Sequence, residues 1–249
     1  NSTLAGSDGR VVFERAATGR AIPDGKQEVT PMVQGRDVQL TIDANLQWYA
    51  QNALAQQVEA TQAESGTVIV QDVSTGRLLA VASYPTFDPT KMSSATGSLS
   101  NRAFTDVFEP GSTGKVVTIG AALEEGTVTP MTPVVIPSQL HRSDKYFHDS
   151  HAHGIEYRTV AGALAESSNM GTMLVGETVS AKTLETYLRK FGLGAVSGSS
   201  FPGESKGLLA RSEDWSGSQR YTVMFGQGLS VTAIQAAGVF QTIANGGLR

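Results

Sequence analysis

The segment Glu109-Pro110-Gly111-Ser112-Thr113-Gly114-Lys115 runs straight into Val116-Val117-Thr118-Ile119-Gly120-Ala121-Ala122-Leu123-Glu124-Glu125-Gly126. A Pro-Gly pair breaks whatever precedes it. No charge interrupts the run from Val116 to Leu123, so a helix formed there is a buried one and needs other layers packed around it. Val116, Ile119, Gly120 and Leu123 fall on one helical face, and Gly126 is its expected stop. Ser112 then lies at the mouth of that helix, with Lys115 one turn on and on the same side. The positive end of the helix dipole favours negative charge developing on a serine oxygen. A lysine one turn away takes the hydroxyl proton if burial or a second cation holds its pKa down. Ser112 and Lys115 are therefore a candidate nucleophile and base. A serine at a helix start also serves as a plain N-cap, so the context of the motif decides.

The composition suits one sizeable domain, or one domain and a fragment. The chain has 249 residues, 40% of them hydrophobic and 17% charged, enough to bury a core. A net charge of −4 gives no sign of nucleic acid or an anionic membrane as partner. With no cysteine, thiol catalysis, disulfides and cysteine metal sites are excluded. No apolar run reaches the length of a membrane span, and there is no signal peptide at the N-terminus, so any anchor is expected to lie outside these residues.

Residues 1–38 read as short extended pieces, including a strand at Arg10–Glu14, and are expected to be the tail of an upstream domain or a linker. Residues 39–249 are expected to be the main domain. Alternation of Val38, Leu40 and Ile42 predicts a strand over Asp37–Asp43. Asp43 then caps a helix from Ala44 to about Ala60, with Leu46, Ala50, Ala53, Leu54 and Val58 as its apolar stripe. Residues 67–73 and 78–84 predict a hairpin around Ser74-Thr75-Gly76-Arg77, in a sheet covered on both faces. A loop with a Ser/Thr/Gly cluster around Ser93–Ser100 follows. Residues 127–158, with three prolines and all four histidines, read as irregular. Alternate residues on a strand share a face, so His148-Asp149-Ser150-His151-Ala152-His153 could be read as a metal cluster. No other ligand motif frames them, so they read as a polar loop near the site, and no metal or cofactor is expected. A helix over Thr159–Glu166 ends at Ser167-Ser168-Asn169, and a second runs from Met170 to about Val179. Ser180 caps a third, ended by Gly192. A glycine-flanked loop, Phe225–Thr232, feeds a last helix, Ala233–Ala244, with Ala237, Phe240, Ile243 and Ala244 inward.

Breaking an amide with a serine also requires a proton donor for the leaving amine and a polar group to hold the substrate. Ser167 and Asn169, in the kink between two helices, offer a hydroxyl relay and an amide that both donates and accepts. Ser-x-Asn alone is ordinary local capping. Behind an upstream Ser-x-x-Lys it is far more specific, because these two motifs and Lys-Thr-Gly mark penicillin-binding proteins and class A β-lactamases.

The chain resembles the transpeptidase domain of class B penicillin-binding proteins, the actinobacterial septal type in particular. The resemblance rests on Glu109–Gly126, Thr159–Thr172, Phe201-Pro202-Gly203-Glu204-Ser205, Phe225–Gly247, the hairpin and the Tyr84–Pro89 segment, and it covers nearly the whole chain. It implies a mixed α/β penicillin-binding fold, an antiparallel sheet between helical layers. It implies a serine D,D-transpeptidase that cross-links peptidoglycan stem peptides and is acylated by β-lactams. By the same resemblance Ser112 is the acylated nucleophile, Lys115 its base, Ser167 the proton relay and Asn169 the substrate-holding amide. The Ser112 peptide N–H would be half of the oxyanion hole. An upstream domain, a single-pass membrane anchor and an extracytoplasmic catalytic domain are also implied, beside division-machinery membrane proteins including a glycosyltransferase.

One family element is missing: no Lys-Thr-Gly or Lys-Ser-Gly follows Asn169. The expectation is that the final strands are on a second fragment, separated by proteolysis after Arg249 and packed against the hairpin. A non-catalytic penicillin-binding-like scaffold is an alternative, which the presence of all four site residues disfavours. A β-lactamase is a weaker one, for want of a carboxylate placed for deacylation.

Overall fold

The computed structural model describes residues 2–94 and 100–249. Residues 95–99, the centre of the Ser93–Ser100 cluster, lie outside the described residues. The chain divides into two compact units, Asn1–Thr41 and Ile42–Arg249.

In the first unit, α1 (Ser2–Ala5) precedes β1 (Arg10–Phe13) and β2 (Gln27–Thr30). The two strands pair antiparallel, and every residue of both is exposed. The strand expected over Asp37–Asp43 does not form. Val38 and Leu40 are exposed, so the alternation has no face to bury.

The second unit opens with α2 (Ala44–Thr61). Asp43 starts it as expected, its carboxylate accepting the Leu46 N–H at 2.9 Å. Ala50, Leu54 and Val58 of the predicted stripe are buried, while Ala53 faces solvent. The predicted hairpin is β3 (Gly66–Gln71) with β4 (Leu78–Tyr84), paired antiparallel with a register shift at Val70/Gln71. Its turn is tied by Asp72, whose carboxylate accepts the Thr75 N–H at 2.8 Å, and Gly76 takes the required positive φ of 68°. The hairpin is covered on both faces. α2 packs against Ala80 and Ala82. Ile69, Leu78 and Val81 meet Ala103 and Phe104 of α3 (Arg102–Thr105), together with Ile234.

β5 (Val107–Phe108) leads into a 3-10 turn, Gly111–Gly114, and then α4 (Lys115–Glu124). Residues 127–158 are more regular than expected. They hold β6 (Pro133–Ile136), β7 (Leu140–Arg142), β8 (Lys145–Phe147) and, at their end, β9 (Glu156–Thr159). β6 pairs with β9 and β7 with β8, both antiparallel. The strands are three or four residues long, too short for periodicity to reveal. α5 (Val160–Ala165), α6 (Asn169–Gly176) and α7 (Ala181–Lys190) follow, each capped by the hydroxyl before it: Thr159, Ser168 and Ser180. α8 (Gln219–Thr222), β10 (Val231–Thr232) and α9 (Ala233–Ala244) complete the unit. Every named ladder is antiparallel and two-stranded, so the fold is mixed α/β, with the β3–β4 hairpin held between helices.

The largest core gathers Val117 and Ile119 of α4, Met170, Met173 and Val175 of α6, Leu184 and Leu188 of α7, and Val223 and Met224. The inward face of α4 differs from the expected one. Lys115, Val117, Thr118, Ile119, Ala121 and Ala122 are buried, and Leu123 is exposed. α9 also turns another side inward. Ile234, Gln235, Val239, Gln241 and Thr242 are buried, whereas Phe240 and Ile243 are 47% and 46% exposed. The buried amides are satisfied by backbone: Gln235 Nε2 donates to the Ala195 and Lys206 carbonyls, and Gln241 Nε2 to that of Val73. Among the described residues no helix is long and apolar enough to cross a membrane.

Candidate active site

Two short connections aim Ser112. β5 pairs with β10, Val231 opposite Phe108, which sets the segment before the serine beside the loop at 225–230. The Gly111 N–H donates to the Gly226 carbonyl at 2.8 Å, and the Gly228 N–H to the Glu109 carboxylate at 2.8 Å. Gly226 has φ +82° and Gly228 φ +77°, a conformation open to glycine at no steric cost. Ser112 sits in the 3-10 turn ahead of α4, not in the helix itself, and it is exposed. Among the described residues its hydroxyl has no hydrogen-bond partner.

Lys115, the first residue of α4, is 1% exposed. Its Nζ donates to the Ser167 carbonyl and, at 3.1 Å, to the Ser167 hydroxyl. Burial lowers the lysine pKa, and the negative charge of Asp149 pulls part of the way back. Such an amine gives up its proton more easily than a surface lysine. Ser167 connects α5 to α6 with φ +56°, uncommon for a residue other than glycine. Ser167 as a residue is exposed, so a buried amine meets an exposed turn. Asn169 begins α6 and is half-buried, its Nδ2 donating to the His148 carbonyl at 3.3 Å. The fold thus joins Lys115 to Ser167, sets Asn169 two residues on, and leaves Ser112 a turn before Lys115 without a bond to either.

Sequence reasoning missed Asp149. Its side chain is 5% exposed. Oδ1 accepts the Asn169 N–H at 2.6 Å and the Met170 N–H at 3.0 Å. Oδ2 accepts the Ser168 hydroxyl at 2.7 Å and faces His153 Nε2 at 3.2 Å. Burial opposes the charge, but these hydrogen bonds outweigh it and hold the carboxyl below its usual range. Of the four histidines, only His153 reaches this carboxylate. Among the described residues no group of three or more metal-ligating side chains comes together. Asp149 lies 20 residues before Asn169 in a loop without periodicity, so no spacing marks it.

The family of the penicillin-binding protein transpeptidase domain matches residues 66–249. The chain belongs to that family. It is 37% identical to the penicillin-binding protein PbpB of Mycolicibacterium smegmatis, over 100% of this chain and 39% of the relative. It is 33% identical to the peptidoglycan D,D-transpeptidase FtsI of Escherichia coli, over 98% of this chain and 41% of the relative. Among solved structures, penicillin-binding protein 3 of Mycobacterium tuberculosis complexed with ampicillin superposes with a TM-score of 0.87 at 34% identity, covering 98% of this chain and 51% of that one. The chain therefore spans about two fifths of the length of these curated relatives.

Proposed function

We propose that this chain carries the acyl-transfer site of a peptidoglycan D,D-transpeptidase of septal wall synthesis. The observation that carries the reading is the buried Lys115 amine, bonded to Ser167 and one turn from the exposed Ser112 hydroxyl. Family membership and the D,D-transpeptidase activity of the similar FtsI support it. Lys115 takes the hydroxyl proton as Ser112 Oγ attacks the carbonyl between the two terminal D-alanines of a stem peptide. The C–N bond breaks, Ser167 passes a proton to the departing D-alanine amine, and an ester to Ser112 remains. An amine of a second stem peptide displaces Ser112 from the ester and closes the cross-link. Asn169 holds the substrate amide, and the Ser112 N–H is one donor to the developing oxyanion. The Lys115 hydrogen bond extends to Ser112 when substrate arrives, as catalytic contacts tighten on binding. A β-lactam enters by the same attack, its ring amide opening onto Ser112; the ampicillin complex of the similar structure supports this.

Finer statements belong to the same proposal. The domain works on the outer side of the membrane, tied by a single-pass anchor outside these residues, beside division-machinery proteins including a glycosyltransferase. A strand bearing Lys-Thr-Gly, also outside these residues, completes the site. In support, Phe240 and Ile243 of α9 lie at the surface, and β3–β4 pairs with no third strand among the described residues. The test uses the full-length protein with a thioester analogue of the stem peptide and a D-amino acid acceptor. Acyl transfer is expected from the parent protein and none from Ser112→Ala. Transfer by the alanine variant would overturn the reading.

A further inference from the structure

Asp149 does more than a helix cap requires. The N-cap of α6 is already Ser168, whose Oγ accepts the Gly171 N–H at 2.7 Å. A neutral side chain suffices for such a cap, and burying a carboxylate carries a desolvation cost that a neutral cap avoids. Yet this carboxylate receives two consecutive backbone N–H groups, the Ser168 hydroxyl and His153. The bonds to Asn169 and Met170 fix the first turn of α6, and with it the direction of the Asn169 side chain. The bond to Ser168 fixes the residue after Ser167. Ser167 has a left-handed backbone, and such a conformation persists only where its surroundings over-determine it.

His153 is built into the same lock. Its side chain is 6% exposed. Nδ1 lies 2.6 Å from the Gly154 carbonyl and Nε2 3.2 Å from Asp149 Oδ2. Both neighbours are acceptors, so only the doubly protonated ring satisfies both contacts. The Gly154 carbonyl, against a smaller effect of burial and with help from Asp149 and Glu156, raises the histidine pKa. Besides Asp149 and Glu156, the ring of His151 lies near it, 5.8 Å away between centroids.

We propose that Asp149 and His153 form a positioning pair that holds the Ser167–Asn169 turn against Lys115. The proposal rests on the acyl-transfer reading above. The pair touches no substrate. It acts through the geometry of Ser167 and Asn169, and through the charges it sets behind Lys115. Asp149 contributes a negative charge there, and imidazolium His153 offsets part of it.

The experiment compares the full-length protein with Asp149→Asn, His153→Gln and Ser112→Ala. Rates of acylation by a fluorescent penicillin are measured against pH, with thermal melting as a check on folding. Asp149→Asn keeps an acceptor for Asn169 and Met170 but loses the charge. Its acylation should fall by about 10²-fold, the scale of a misplaced reacting group. The rising acid limb of its profile should move to lower pH, since Lys115 loses an anion that favours its protonated form. His153→Gln should lose less rate and move the limb the other way, because removing a cation leaves the Asp149 charge uncompensated. Opposite displacements support the pair. Wild-type rates in both variants, or equal losses with unmoved profiles, would overturn it. If Ser112→Ala is still acylated, the nucleophile assignment fails instead, so the two failures are distinguishable.

Discussion

Gly226 lies with its backbone directly against that of Gly111, one residue before the candidate nucleophile. The Gly111 N–H donates to the Gly226 carbonyl at 2.8 Å, and a Cβ built on Gly226 would overlap the Gly111 carbonyl oxygen. The loop over 225–230 is therefore a template for the serine turn. Gly226→Ala meets both that overlap and a φ of +82°. Acylation by a fluorescent penicillin should fall by about 10²-fold, because a shift near 1 Å at the reacting group costs that much. Stopped-flow labelling of the full-length variant checks this.

Lys115→Arg should slow acylation by about 10²–10⁴-fold, the contribution of a positioned general base, since a guanidinium does not deprotonate. In the parent protein the rate should rise with pH as Lys115 loses its proton. Burial lowers that pKa, so the limb should be centred below the ordinary lysine value of 10.5. A pH series of acylation rates on parent and variant measures both.

Glu185 of α7 is 2% exposed and accepts from the Ser212 N–H and hydroxyl, Lys182 and Arg189. Burial opposes its charge, but these donors prevail and hold the carboxyl well below its usual range. The folded-state pKa is depressed, so the stabilisation is complete above the unfolded value near 4.5 and is lost as pH falls through the folded one. Glu185→Ala should cost about 2–3 kcal/mol at neutral pH, the scale of hydrogen bonds to a charged group. The difference from the parent should shrink in acid. Denaturant unfolding at several pH values tests it.

Met173→Ala empties a fully buried position of α6, the helix that carries Asn169. A loss of about 2–5 kcal/mol is expected for such a truncation. Chemical denaturation gives the value.

Elements with a strong local code were readable from the sequence. Asp43 capped its helix, the Thr75-Gly76 turn closed its hairpin, and Ser180 started its helix. Faces were harder to read. The run from Val116 to Leu123 has no charged side, so its buried side is chosen by α6, α7 and the Met224 carbonyl that accepts from Thr118 rather than by periodicity. On α9, Gln235 and Gln241 turn inward because backbone carbonyls await their amides. Phe240 could not be ranked against them without those partners. Within the site, motif spacing pointed to Ser112, Lys115, Ser167 and Asn169. Asp149 had no such signal, because only the fold brings a loop carboxylate to the start of α6.

On the acyl-transfer proposal, Ser112 is the acylated oxygen, with Lys115 and Ser167 serving it. Its most direct test is mass spectrometry of the full-length protein after reaction with a penicillin. Digestion then locates the adduct. A penicilloyl mass on the peptide containing Ser112, absent from Ser112→Ala, is the predicted result. An adduct on any other residue, or one that survives the alanine substitution, would rule Ser112 out as the nucleophile.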